Sequence, residues 1–341
     1  MVKVLYVGDS RKMKGGVSSV IKTIESTYLW KKYHCHWIEC QINASVYRKL
    51  FYMIVGMLKG MCFIPFYNIV HFHTGLGNSM WVQMPMFVWS IIWRKKRVIH
   101  IHVGNQIVEQ GVNTPLTFAC KHANHILTLG KCWIPCIPHH PNTPVTHLYN
   151  PAPNKSELLP PKKYFLFAAY INANKGYAHL LKACKQVFEV YPEWKLVICG
   201  VGEEKAVTQL ITELNLSDNV ELLGWIEGNQ KKRIFQEAWA YCMTSQMEGF
   251  PMSVLEAIAY GVPVISTKVG CLPELFTSEK DILFYDFGDT NELASLLLRI
   301  IEQRELRSKL REGATEIHKA LLSIPVFSWN LDRIYKTLTF S

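Results

Sequence analysis

Short apolar strands alternating with stretches of helical spacing run through this chain, and that alternation restricts its fold more than any other feature. VKVLYVG (2–8), NIVHFHTG (68–75), RVIHIHVG (97–104) and ANHILTLG (123–130) form a first series. YFLFAAYI (164–171), KLVICGVG (195–202), NVELLGW (219–225), AYCMTS (240–245), PVIST (263–267) and DILFYD (281–286) form a second. Strands joined through helices pair in parallel, which implies an α/β doubly wound sheet. Between the series lies NPAPNKSELLPPKK (150–163), whose proline and polar residues read as a linker. A length of 341 residues also exceeds what one core usually serves. The expected fold is therefore two tandem doubly wound Rossmann-like domains, 1–150 and 164–325, joined by a linker at 151–163. A C-terminal helix at 326–341 follows, with packing back on the first domain as one option. Ligands of such sheets bind beyond the carboxyl ends of the strands, so two facing domains would share a central cleft.

The ten cysteines have no framework of short regular spacings, which fits a reducing cytoplasm. Cys132 and Cys136 lie near His139 and His140, but Pro135 and Pro138 intervene and no second cysteine pair follows, so zinc is not expected there. The N-terminus MVKVLYVGDS reads as a strand and turn, not as a secretory leader. Two greasy stretches, 50–70 and 80–93, are interrupted by Lys59 and Pro65 and by Gln83 and Pro85, so both read as helices packed on a sheet. Charge is divided unevenly: residues 1–150 hold 16 Lys and Arg against 4 Asp and Glu, while the remainder holds 21 against 23. No nucleic-acid motif accompanies the excess, so nucleic acid is not an expected partner. Trp81, Trp89 and Trp93 followed by RKKR (94–97) suit an anionic membrane surface, or else core tryptophans beside a solvated helix end.

EGFPMSVLEAIAYGVPVIS (248–266) carries the densest chemistry. Pro251 suits a first helical turn, Gly261 a helix end, and Pro263 bars continuation. Glu248 then lies in the loop entering a helix and Glu256 inside it, with the helix N-terminus between them as a phosphate site. A carboxylate there can accept two hydrogen bonds from neighbouring ribose hydroxyls. On spacing alone, a loop glutamate and an exposed helix glutamate remain equally good readings.

The pattern E-G-F-P-M-S-V-L-E, followed by A-x-A-x-G-V-P-V-I-S, resembles the signature of retaining glycosyltransferases of family four, which have the two-domain GT-B fold. KGG (14–16), HIHVG (100–104), Asn150, NKG (174–176), CGVGEE (199–204) and VGCLPE (269–274) resemble further family motifs in the same order. The resemblance implies transfer of a sugar from a nucleotide-diphosphate donor, UDP-sugar slightly favoured, to a hydroxyl with retained configuration and without a metal or other cofactor. It implies His102, Glu248 and Lys175 as catalytic residues. It places Gly15, Gly16, Tyr170, Gly200, Gly202, Gly249, Phe250, Pro251, Met252, Ser253 and Glu256 at the donor with Lys175 and Glu248. Glu256 would hold the ribose, Glu248 the sugar and Lys175 the diphosphate, while the first domain takes a lipid-linked or oligosaccharide acceptor. His71, His73 and His100 read as packed histidines. The implied setting is cytoplasmic, with peripheral membrane attachment an option, in surface polysaccharide, lipopolysaccharide, capsule or glycolipid synthesis.

The family's Gly-Arg before the lysine-glycine pair is Ala169 and Tyr170 here. A charge-assisted bond to phosphate is thereby lost, worth roughly 1.5–3 kcal/mol. This departure supports a second reading, a catalytically weak subunit that binds a partner enzyme or the membrane. A nucleotide-sugar epimerase, which shares the two-domain architecture, is a third, and the glutamate signature with His102 argues against it.

Overall fold

The computed structural model describes residues 1–13, 15–75, 79–102, 104, 107 and 111–340. Its strands form two six-stranded, wholly parallel sheets. The first contains β1 (Val4–Asp9), β2 (His36–Gln41), β3 (Ile69–Thr74), β4 (Lys96–Ile101), β5 (His125–Thr128) and β6 (Val145–His147), in the order β2-β1-β3-β4-β5-β6. The second contains β7 (Tyr164–Ala168), β8 (Lys195–Cys199), β9 (Val220–Gly224), β10 (Ala240–Met243), β11 (Val264–Thr267) and β12 (Leu283–Tyr285), in the order β12-β11-β10-β7-β8-β9. The fold class is thus α/β with two Rossmann-like domains. Both central regions are buried on two faces, which explains the near-continuous apolar runs of β1, β7 and β10, whereas β3 is fully buried but carries His71, His73 and Thr74.

Two strands, β2 and β6, were not expected. Each is an edge strand with one neighbour, so HWIECQ and VTH keep partly exposed polar side chains instead of an apolar run.

The chain divides into two compact units: Met1–Pro151 with Ile324–Ser341, and Ala152–Ser323. The first unit is therefore discontinuous in sequence. Its helix Ile324–Phe340 begins earlier than the sequence indicated. Tyr335 of that helix places its hydroxyl 2.7 Å from the Tyr6 hydroxyl and 2.6 Å from His71 Nδ1. Asp332 accepts from Lys32 Nζ at 2.6 Å and Tyr33 OH at 2.7 Å.

Within the second unit, the Ala152 N–H donates to the Leu322 carbonyl at 2.8 Å, and His318 Nε2 lies 2.9 Å from the Pro153 carbonyl. The proline-rich segment therefore begins as packed chain.

The greasy stretches form the helices Val46–Phe63 and Ser79–Ile92, the second containing Pro85. The helix Val46–Phe63 packs on β2 through Gly56, as the sequence reading expected. By length and composition Val46–Phe66 is nonetheless apolar enough to cross a membrane, its most apolar window having a mean hydropathy of 1.4. Lys59 does not break the helix, and Pro65 falls in the short 3-10 turn after it.

Candidate functional site

In the second sheet β7 lies between β8 and β10, and the winding direction reverses at the β7/β10 pair. That switch point opens a crevice at the strands' carboxyl ends, where open α/β sheets bind ligands. The loops meeting there are fastened by glycines that no other residue could replace. Gly176 has φ +67°, and a Cβ on it would stand 2.0 Å from the Thr244 carbonyl oxygen. This close approach ties two loops together. Thr244 Oγ1 donates to the Lys175 carbonyl at 2.7 Å, the Gln246 N–H to Asn174 O at 2.8 Å, and Asn174 Nδ2 to Met247 O at 3.1 Å. Gly270, with φ +57°, likewise brings the loop before Glu274 onto Gly249, whose carbonyl accepts from the Cys271 N–H at 3.1 Å.

Glu248 and Lys175 form a short ion pair, both side chains mostly buried, and Ser245 Oγ donates to Glu248 at 2.8 Å. Phe250 is buried. Pro251 is the N-cap residue of the helix Met252–Ala259 and lies just outside it, not in its first turn. Its ψ of 114° is extended, and the chain turns helical only from Met252. Pro251 supplies no side-chain cap, and among the described residues no side chain accepts from the first-turn N–H groups, which leaves them for a ligand. Gly261, at φ +72°, follows the helix end in the left-handed conformation.

Glu256 lies one turn into that helix and is paired with Lys231 Nζ at 2.7 Å. Both border a cavity of about 110 Å³ lined by Ala168, Tyr170, Gly200, Trp225, Ile226 and Ser253 among others. Ser253 is fixed by the Tyr241 hydroxyl, 2.7 Å away. Gly200 (φ +145°) and Gly202 (φ +143°) press against the carbonyls of Ala169 and Ile171, so a Cβ at either would collide with backbone. Gly200 also lines the cavity, whereas Gly202 serves the packing of the turn. Tyr170 is 60 % exposed at the rim.

Lys231, Trp225 and Ile226 escaped the sequence reading. Lys231 lies in the helix Gly228–Glu237, 25 residues from Glu256, with no local pattern joining the two. Trp225 did leave a signal, an aromatic residue directly after the glycine ending β9.

The cavity and both ion pairs together carry two cations and two carboxylates. An incoming dianion must therefore draw on the open helix N–H groups or displace a carboxylate from its lysine.

In the first unit, Gly15 caps and Gly16 opens the helix Gly16–Glu25. Nothing lies within 4 Å of a Cβ built on Gly15, so packing does not demand glycine there. Lys14 and Val103, within the KGG and HIHVG stretches, lie outside the described residues. His102 follows β4, and its Nε2 is 2.8 Å from His73 Nδ1. Burial pushes the His102 pKa down to about 3, so the ring is neutral, not cationic. His71, His73 and His100 are fully buried, with ring nitrogens within 4.8 Å of one another. The His71 and His73 rings stack at 4.4 Å and 27°, and His71 and His100 lie at 25°, while His73 and His100 are tilted at 49°. His71 Nδ1 already lies 2.6 Å from the Tyr335 hydroxyl and His73 Nδ1 2.8 Å from His102 Nε2, so two of the three rings have a nitrogen engaged in hydrogen bonding. Cys132, Cys136, His139 and His140 form no ligand group among the described residues.

Residues 151–317 match the family model described as Glycosyl transferases group 1. An uncharacterized glycosyltransferase of Methanocaldococcus jannaschii is 33% identical over 180 residues, 44% of this chain and 44% of the relative. The amylovoran biosynthesis glycosyltransferase AmsK of Erwinia amylovora is 30% identical over 142 residues, 40% of this chain and 35% of the relative. The chain thus matches less than half the length of these curated relatives. Among solved structures, Anabaena HepE in complex with UDP and glucose superposes with a TM-score of 0.80 at 17% identity, over 98% of this chain and 100% of that one. At that identity the likeness establishes the shared fold.

Proposed function

We propose that this chain is a retaining glycosyltransferase of family four that moves a sugar from a nucleotide diphosphate to a glycan hydroxyl. The observation that carries this reading is the cavity at the switch point, with the Glu256 carboxylate at its edge beside an uncapped helix N-terminus. A base enters the cavity against Trp225 and Ile226, the ribose hydroxyls donate to Glu256, and the diphosphate meets the helix N–H groups and Lys175. Glu248 holds the donor sugar, in contact with Lys175. In the reaction the bond from the anomeric carbon to the diphosphate oxygen breaks, and the diphosphate leaves with the electron pair. The acceptor oxygen bonds to that carbon, and its hydroxyl proton is released. Leaving-group charge is met by fixed donors and lysine, so the reading needs no metal.

The first unit, with neutral His102 beyond its own strand ends, takes the acceptor. UDP is the favoured nucleotide because the HepE complex contains it, and a polysaccharide or lipid-linked acceptor is favoured by the amylovoran relative. Calorimetric titration with UDP tests the donor site: binding is expected in the wild type, with a loss of about tenfold in Glu256→Ala. Equal affinity in the two proteins overturns the assignment. Proton NMR of the product then separates a retained glycoside from the new nucleotide sugar that an epimerase would give. The second reading, a nucleotide-binding but catalytically weak subunit, is favoured by Tyr170 in place of a cation, and would give UDP binding with no glycoside.

A further inference from the structure

The apolar face of the helix Val46–Phe63 is exposed, with no partner among the described residues. Only Gly56 and Gly60 of the helix are buried. A Cβ on Gly56 would stand 2.6 Å from the Glu39 carbonyl, and one on Gly60 would stand 2.2 Å from Met86 Sδ. Those two glycines press the helix flat against β2 and the helix Ser79–Ile92. At 3.6 residues per turn, Tyr47, Phe51, Ile54 and Leu58 fall within about 60° of one another on the opposite side. Tyr47 is 86%, Phe51 62% and Leu58 55% exposed. Only 17% of the most apolar window of Val46–Phe66 is buried. Beside it, Trp81, Val88, Ile92 and Trp93 are also exposed on Ser79–Ile92 and the residue after it.

Charge identifies what covers this face. From residue 40 to residue 108 the sequence has no Asp or Glu but seven Lys and Arg. Arg48 and Lys59 are exposed about 100° around the helix from the apolar stripe, and Lys49 and Arg94 are exposed as well. An apolar face bordered by tyrosine, tryptophan and uncompensated cations matches the boundary between acyl chains and anionic headgroups. A protein partner of ordinary composition would need a wholly acidic rim to match it.

We infer that this face docks on an anionic lipid bilayer, with the helix Val46–Phe63 lying in the plane of the interface. The close glycine packing holds the helix on the sheet, so the helix does not leave the fold to span the bilayer. The candidate from sequence was the tryptophan-rich segment 80–93 with RKKR (94–97), and its tryptophans are the lesser part of the face. Trp89 donates from Nε1 to the Met61 carbonyl at 3.0 Å and packs against the core. This inference goes beyond the proposed reaction and does not depend on it.

The test is sedimentation of the full chain with vesicles of equimolar phosphatidylcholine and phosphatidylglycerol, and with phosphatidylcholine alone. Binding is expected to the anionic vesicles and to fall as salt rises. Phe51→Glu with Leu58→Glu should weaken it at least tenfold, and each of Arg48→Gln and Lys59→Gln about fivefold. These side chains are exposed, so the variants keep their fold, which circular dichroism and unchanged UDP affinity check separately. A dye on the exposed Cys62, with Cys132 changed to serine, should brighten on binding. Three results overturn the inference: no sedimentation of folded protein at low salt, equal binding to neutral vesicles, or attachment that resists alkaline carbonate. A dimer in solution that Phe51→Glu dissolves would instead assign the face to a second copy of the chain.

Discussion

Lys175 has a partner already, and this bears directly on how a diphosphate would be held. Its ammonium contacts Glu248, and Glu248 takes a further bond from Ser245. The same pairing recurs between Lys231 and Glu256. Phosphate must compete with a carboxylate for Lys175, while the neutral Tyr170 at the rim brings no charge. Glu248→Gln keeps the shape and frees the lysine. It should tighten UDP several-fold in calorimetry while lowering kcat, because the donor sugar loses its carboxylate. Weaker UDP binding in this variant would mean that Glu248 orders Lys175 more than it occupies it. Tyr170→Arg should restore a charge-assisted bond and improve UDP affinity about tenfold. The glutamate pair was legible in the sequence because its turn residues, Pro251 and Gly261, give away a helix start and stop. Lys231 was not, because only the folded sheet brings β9 and the helix after it beside β10's loop.

Among the elements, strands buried on both faces declared themselves through their apolar runs, whereas β2 and β6 at the sheet edge did not. An edge strand exchanges half its burial for polar side chains and so loses the pattern that reveals it. The loops depend on positions where backbone meets backbone. Gly176→Ala would force a Cβ into the Thr244 carbonyl from a left-handed conformation. Urea denaturation should register a loss of about 2 kcal/mol or more, and UDP binding should fall in the remaining folded protein because the Lys175 turn moves. Gly15→Ala is the control, since that position has open space and an extended backbone. It should leave stability nearly unchanged, so any loss of transfer would belong to ligand approach.

Across the whole molecule, the first unit contains a store of buried neutral imidazole. Burial holds His71, His73 and His100 well below their ordinary value of 6.5, His102 at about 3 and His125 at about 4. A histidine whose pKa is lower folded than unfolded takes up protons preferentially in the unfolded chain. Its stabilising effect is complete above about pH 6.5 and is lost as pH falls below that value, by at most about 1.4 kcal/mol per pH unit for each. Asp9 acts oppositely, since burial raises it to about 6, but it is one carboxyl against five imidazoles. Urea midpoints should therefore drop on going from about pH 7 to about pH 5. His100→Leu, which removes two buried nitrogens lacking partners, should flatten that slope. The second sheet has a different consequence, in the order of folding events. Lys175 and Glu248 are separated by 73 residues of chain, and their loops meet only after β7 has paired with β10. Parallel pairing over such a distance is slow, so the cavity beside Glu256 is expected to form late in folding. UDP would then arrive too late to hasten folding and would act on the reverse step, lengthening the lifetime of the native state in proportion to its occupancy.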